Sequence, residues 1–165
     1  MRWGDEVQWR VQAEDLLKEE QSLQGPRRAL DSTARGTKFV KGPYVHIQFD
    51  GGSQDGHGTG GFTIVDEAGK ELVRAGLYYG PGYTNNEAEA TALMNACECY
   101  DKLLNSKQLN LPVRIWGDSQ LIIRHLLGIY KKPSKIRVYD AVQKVRALKR
   151  RWKHTAYRHL DRELN

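Results

Sequence analysis

From Tyr44 onward the chain spells three strand patterns, a capped helix and a fourth strand, and that order leaves few folds open. Val45, Ile47 and Phe49 alternate with Tyr44, His46 and Gln48, which is the two-residue period of a strand. The glycine-rich residues 51–61 are expected to form a turn, with a second strand over residues 62–65. Glu67-Ala68-Gly69-Lys70 reads as a hairpin turn into a third strand over residues 72–79, and Gly80-Pro81-Gly82 breaks the chain. Thr84 opens a long helix, because Thr84-x-x-Glu87 has the spacing of a capping box. Its apolar face runs through Leu93, Ala96, Cys97, Tyr100 and Leu104. Residues 113–116 form a fourth strand, 119–130 and 136–150 two more helices, and 152–160 a fifth strand. Three strands joined by short turns make an antiparallel meander. A helical crossover then returns the fourth strand parallel to a member of that sheet, by a right-handed connection. The expected fold is α/β, a mixed five-stranded sheet with three antiparallel strands followed by parallel ones, flanked by helices.

Three carboxylates fall at the edges of these elements. Asp50 ends the first strand pattern, Asp118 follows the fourth at Gly117-Asp118, and Glu89 lies on the inward face of the first helix. Glu87 has a capping job, but an inward Glu89 has no such excuse. Acids gathered this way repel one another and cost desolvation energy. The arrangement makes sense if a divalent cation neutralises it, which implies metal-dependent chemistry on an anionic substrate. In sheets of this kind, ligands sit beyond the carboxyl ends of strands where connections diverge. If the strands of Asp50 and Asp118 are parallel neighbours, both acids reach one ion, and Glu89 can join them.

Charge distribution supports an anionic substrate. Residues 1–42 carry 8 Lys/Arg against 7 Asp/Glu, residues 43–130 carry 6 against 10, and residues 131–165 carry 12 against 3. An acidic centre thus adjoins a tail with a net charge of +9, suited to a polyanion. Cys97 and Cys99 are two positions apart in a helix, on different faces, and so are poorly placed for a shared disulfide or zinc ion. No apolar run is long enough to span a bilayer, and the charged first thirty residues lack the apolar core of a signal peptide. The expected location is intracellular, cytoplasmic or nuclear, with no membrane partner. Residues 1–42 read as an N-terminal helix over 1–24 and a basic linker, ahead of a domain at 43–165.

The ordered set Asp50-Gly51-Gly52-Ser53, Thr84-Asn85-Asn86-Glu87-Ala88-Glu89 and Gly117-Asp118-Ser119-Gln120 resembles the type 1 ribonuclease H family. The tail from His159 to Asn165 is similar to the segment leading into that family's last helix. The resemblance covers about residues 44–165 and implies a ribonuclease H-like fold that hydrolyses the RNA strand of RNA–DNA hybrids by a two-metal mechanism. It implies Asp50, Glu89 and Asp118 as catalytic metal ligands for Mg²⁺, with Mn²⁺ as an alternative. By the same carry-over, His159 would assist catalysis, though its position reads more simply as that of an ordinary strand-end histidine. Gly52, Ser53, Asn85, Asn86 and Gln120 would contact substrate, and Lys131 and Lys132 would add positive surface. His57 is a lesser candidate for a phosphate contact. The expected partner is an RNA–DNA hybrid, or double-stranded RNA, with a neighbouring domain or protein engaged through residues 1–42.

Two departures from the family pattern shape this expectation. The fourth metal-binding aspartate would fall past Asn165, so the chain as given is expected to be C-terminally truncated and impaired. The glycine-rich segment reads Gln54-Asp55-Gly56-His57 in place of the family's Asn-Pro. The alternatives are a catalytically weakened ribonuclease H-like module that binds nucleic acid, and a fragment of a retroelement reverse-transcriptase polyprotein.

Overall fold

A computed structural model describes residues 42–107, 111–127 and 135–159. The expected helix at 1–24 and linker, the positive surface expected at Lys131 and Lys132, and the segment past His159 lie outside the described residues. Strands β1 (Val45–Gln54), β2 (His57–Val65) and β3 (Glu71–Pro81) lead into helix α1 (Asn85–Lys107). Strand β4 (Val113–Gly117), helices α2 (Gln120–Leu126) and α3 (Ile136–Lys149) and strand β5 (Thr155–His159) complete the order.

The sheet runs β3-β2-β1-β4-β5. β1–β2 and β2–β3 are antiparallel, while β1–β4 and β4–β5 are parallel. The mixed sheet therefore forms as the element order requires. Val45, Ile47 and Phe49 share one sheet face with Phe62, Ile64, Val113, Ile115 and Tyr157, and apolar residues of all three helices join them in one buried core. The other face carries His46, Gln48, Arg114, Trp116 and Arg158, all buried. His46 stacks on Trp116 at 5.4 Å, and burial pushes its imidazole down to about 3, so it stays neutral as a structural ring.

The glycine-rich segment is not the turn expected from the sequence. β1 continues through Gln54 and β2 begins at His57, with Gln54 paired to His57. Only Asp55 and Gly56 turn the chain, and both have positive φ, the geometry of a tight two-residue hairpin. Glycine is scarce in strands as a class, yet these glycines stand where other groups press on the sheet. A Cβ on Gly58 would come within 2.7 Å of the Tyr83 ring, and one on Gly60 within 2.4 Å of the Tyr79 hydroxyl. Close approach by another group is a standard reason for glycine inside a strand.

Helix α1 starts where the capping box predicts. The Thr84 amide donates to Glu87 Oε1 at 3.0 Å and the Glu87 amide to Thr84 Oγ1 at 3.2 Å. α3 packs along α1 through apolar residues of both helices, and polar contacts tie the pair near each end. Arg137 reaches Glu87, and Arg151, just past α3, pairs with Asp101. Trp152 adds an indole N–H bond to Asp101 at 3.2 Å and an edge-on contact with Tyr100 at 5.0 Å.

Candidate metal centre

Asp50, Glu89 and Asp118 each offer a carboxylate oxygen, and these oxygens all lie within 4.8 Å of one another. The parallel pairing of β1 with β4 runs from Val45↔Val113 to Gln48↔Trp116. Asp50 and Asp118 both stand just past the last of these pairs. Asp50 is thus not at the end of its strand, as the sequence pattern suggests, but at the point where β1 leaves β4 and continues with β2 alone. β4 ends there, and Asp118 turns away into α2 behind an N-cap at Ser119, whose Oγ accepts from the Ile122 amide at 3.3 Å.

Glu89 arrives because α1 crosses β1 at Gly51. A Cβ on Gly51 would lie 2.5 Å from the Ala88 carbonyl and the Glu89 amide nitrogen. Only a glycine lets the helix backbone come this close, and the contact sets Glu89 beside Asp50. A similar device operates at Gly117, where a Cβ would meet the Phe49 ring at 2.4 Å. Asp50 and Glu89 are buried and Asp118 is half-buried. Charges at this spacing repel strongly in a low-dielectric setting. An all-oxygen donor set fits a hard divalent cation, and does not fit the nitrogen and sulfur preferences of a structural zinc site.

Around the acids, the expected substrate residues divide. Ser53 and Asn85 are brought together: Asn85 Oδ1 accepts from the Ser53 amide at 2.7 Å, and Ser53 Oγ donates to the Tyr83 carbonyl at 2.6 Å. Gly52 lies beside Ser53 in β1, and Asn86 is exposed in the first turn of α1. Gln120 opens α2 and His159 closes β5 opposite Gly117, and the side chains of these two lie outside the description. His57 is engaged with Tyr78, its Nδ1 2.7 Å from the phenol oxygen and its ring stacked.

Tyr83 was not a sequence candidate, yet it ties the site together. Its amide donates to the Gly56 carbonyl at 3.0 Å, and its ring packs over Gly58 and stacks on Tyr79 at 5.5 Å. The Arg137 guanidinium lies over the same ring at 4.0 Å. One legible signal was the Asp55-Gly56 pair, a strong hairpin marker. It would have extended both strands and placed the glycines under α1 and the tyrosines. Arg137 had no local signal, since nothing in its own segment says which loop it will reach.

Comparison with known proteins agrees with this geometry. A family model described as reverse transcriptase-like matches residues 48–165. Among solved structures, LC11-RNase H1, isolated from compost by a metagenomic approach, is 30% identical with a TM-score of 0.64; the match covers 73% of this chain and 86% of that one. The same protein solved in complex with an RNA/DNA hybrid matches with a TM-score of 0.65 at 29% identity, over 73% and 88% of the two chains. RNase H1 from the halophilic archaeon Halobacterium salinarum matches with a TM-score of 0.62 at 25% identity, over 73% and 87%. No curated protein matches the chain.

Proposed function

The chain belongs to the reverse transcriptase-like family and holds a ribonuclease H-like domain, and from that premise we propose that it hydrolyses the RNA strand of RNA–DNA hybrids with divalent metal. The observation that carries this reading is the gathering of Asp50, Glu89 and Asp118 within 4.8 Å. These residues would hold Mg²⁺ or Mn²⁺, hard cations that take carboxylate, water and phosphate oxygens. When bound, metal in a two-ion site supplies activation of the attacking water and stabilisation of the leaving oxygen.

The chain's own groups supply the placement. The Ser53–Asn85 pair beside the acids presents hydroxyl, amide and backbone groups that both donate and accept. Such groups suit the 2′-hydroxyls and phosphates of the RNA strand, where RNA differs from DNA. Gly52, Asn86 and Gln120 complete the proposed substrate-binding set, and His159 a proposed catalytic helper at the end of β5. Complexed LC11-RNase H1 supports a hybrid as the ligand by analogy.

The test is cleavage of an end-labelled RNA–DNA hybrid in Mg²⁺ and in Mn²⁺, with Asp50→Asn as the blank. Metal-dependent cutting of the RNA strand only, lost in the blank, is the result that supports this reading. Hybrid binding without cleavage in either metal would favour a module that keeps the fold and lacks the chemistry.

A further inference from the structure

Arg137 lies far from the acids in sequence, yet it meets the loop that leads into α1 at three points. Its guanidinium donates to the Gly82 carbonyl, lies over the Tyr83 ring at 4.0 Å, and stands 3.4 Å from Glu87 Oε2. Each contact leads inward. Gly82 and Tyr83 precede the helix cap at Thr84, and Glu87 is half of the capping box. Tyr83 in turn holds the tip of the β1–β2 hairpin through the Gly56 carbonyl and Ser53 Oγ. Asn85, the first residue of α1, holds the Ser53 amide. Ala88 and Glu89 follow in the next turn, pressed against Gly51.

These contacts form one chain of fixed groups from α3, through Tyr83, to the start of α1 and to β1. Planar guanidinium suits this duty, because it can stack on a ring and donate in its plane at once, which an ammonium cannot. The Arg137 side chain is 43% exposed, so its removal opens no core cavity. Its opposite number, Arg151–Asp101, pins the far end of the same helix pair, away from the acids.

We propose that Arg137 is a positioning residue for the acidic centre: it clamps Tyr83 and the first turn of α1 so that Glu89 and the Ser53–Asn85 pair are held in register with Asp50. This rests on the reading of the three acids as a metal centre. Misplacing a liganding or reacting group by about 1 Å costs on the order of a hundredfold, so loss of one clamp among several should cost less than that.

The experiment compares the full chain with Arg137→Ala, Tyr83→Leu and the double variant by amide exchange and by Mn²⁺ titration. In Arg137→Ala, the Ser53 and Tyr83 amides should exchange about tenfold faster while those of β4 keep their protection, since local opening need not involve the rest of the fold. The Mn²⁺ half-saturation point should rise about tenfold, within the cost of a displaced ligand. Tyr83→Leu should do the same, and the double variant little more, because both break one chain of contacts. Unchanged exchange in Arg137→Ala would overturn the clamp. Faster exchange with unchanged Mn²⁺ affinity would overturn the positioning role and leave a purely structural arginine. Asp118→Asn serves as the control on the metal reading. If its Mn²⁺ titration matches wild type, that reading fails by itself, and the exchange rates still decide whether the clamp exists.

Discussion

Gly51 shows how much one side chain, or its absence, decides. α1 rests its Ala88–Glu89 peptide directly on the Gly51 backbone, and Glu89 reaches Asp50 only for that reason. A methyl group there meets the Ala88–Glu89 peptide, and backbone cannot swing away as a flexible side chain would. Gly51→Ala should therefore cost about 1–3 kcal/mol, the usual range for overpacking, read as a lower urea midpoint. It should also weaken Mn²⁺ binding, because the relief is for α1 to lift and carry Glu89 with it. A variant that keeps both midpoint and metal affinity would show that the contact does not set the site. Asp50 illustrates the reverse case. Its candidacy was legible from residue type and position, but the reason it meets Asp118 is the point at which β1 parts from β4.

At the scale of the element, α1 is the piece whose start matters most, since the acid, the amide and the cap all fall in its first two turns. The Thr84–Glu87 box satisfies amides that no helical carbonyl can reach. Thr84→Ala should cost about 1 kcal/mol, the typical loss of an N-cap side chain, and Thr84→Ser should restore most of it, both measured by urea denaturation. The Glu87 carboxyl is held below its usual range, chiefly by the Thr84 backbone N–H, with the Thr84 hydroxyl and Arg137 also favouring the charged form. A carboxylate of lowered pKa stabilises the fold above its ordinary value, and loses that contribution as pH falls through the lower folded value. A Glu87→Gln variant, which removes that carboxylate, should accordingly show a stability penalty that shrinks in acid. A penalty independent of pH would mean that Glu87 adds nothing to the cap.

Across the whole molecule, charge is sorted by element. Of the cations near the end of α3, several have structural duties. Arg151 pairs with Asp101, Arg146 donates to the His125 carbonyl at 2.5 Å, and Lys149 sits 5.4 Å from the Tyr157 ring centre. Lys144, Arg150 and Lys153 are exposed and are the better candidates for phosphate. From Arg137 to Arg150 the helix axis advances about 20 Å at ~1.5 Å per residue, so these cations would meet duplex well away from the acids. Replacing Lys144, Arg150 and Lys153 with Ala should weaken hybrid binding and reduce the salt slope by about 0.9 for each phosphate that is no longer neutralised. An unchanged slope would make this a solvated face that plays no part in binding.

The sequence alone determined the element order, the capping box, the inward position of Glu89 and the acids in or just past two strands, because strand alternation, helical periodicity and caps are local and written in neighbouring residues. From these the mixed sheet followed, since a crossover helix after a meander leaves little choice of topology. Only the tertiary structure decided that residues 51–54 and 57–61 are strand, since Gly51, Gly58 and Gly60 are explained by what presses on them from α1, Tyr83 and Tyr79. It alone joined Arg137 to Gly82, Tyr83 and Glu87. Contacts between residues some fifty positions apart are made by the packing of α3 on α1, and no local pattern in either segment encodes its partner.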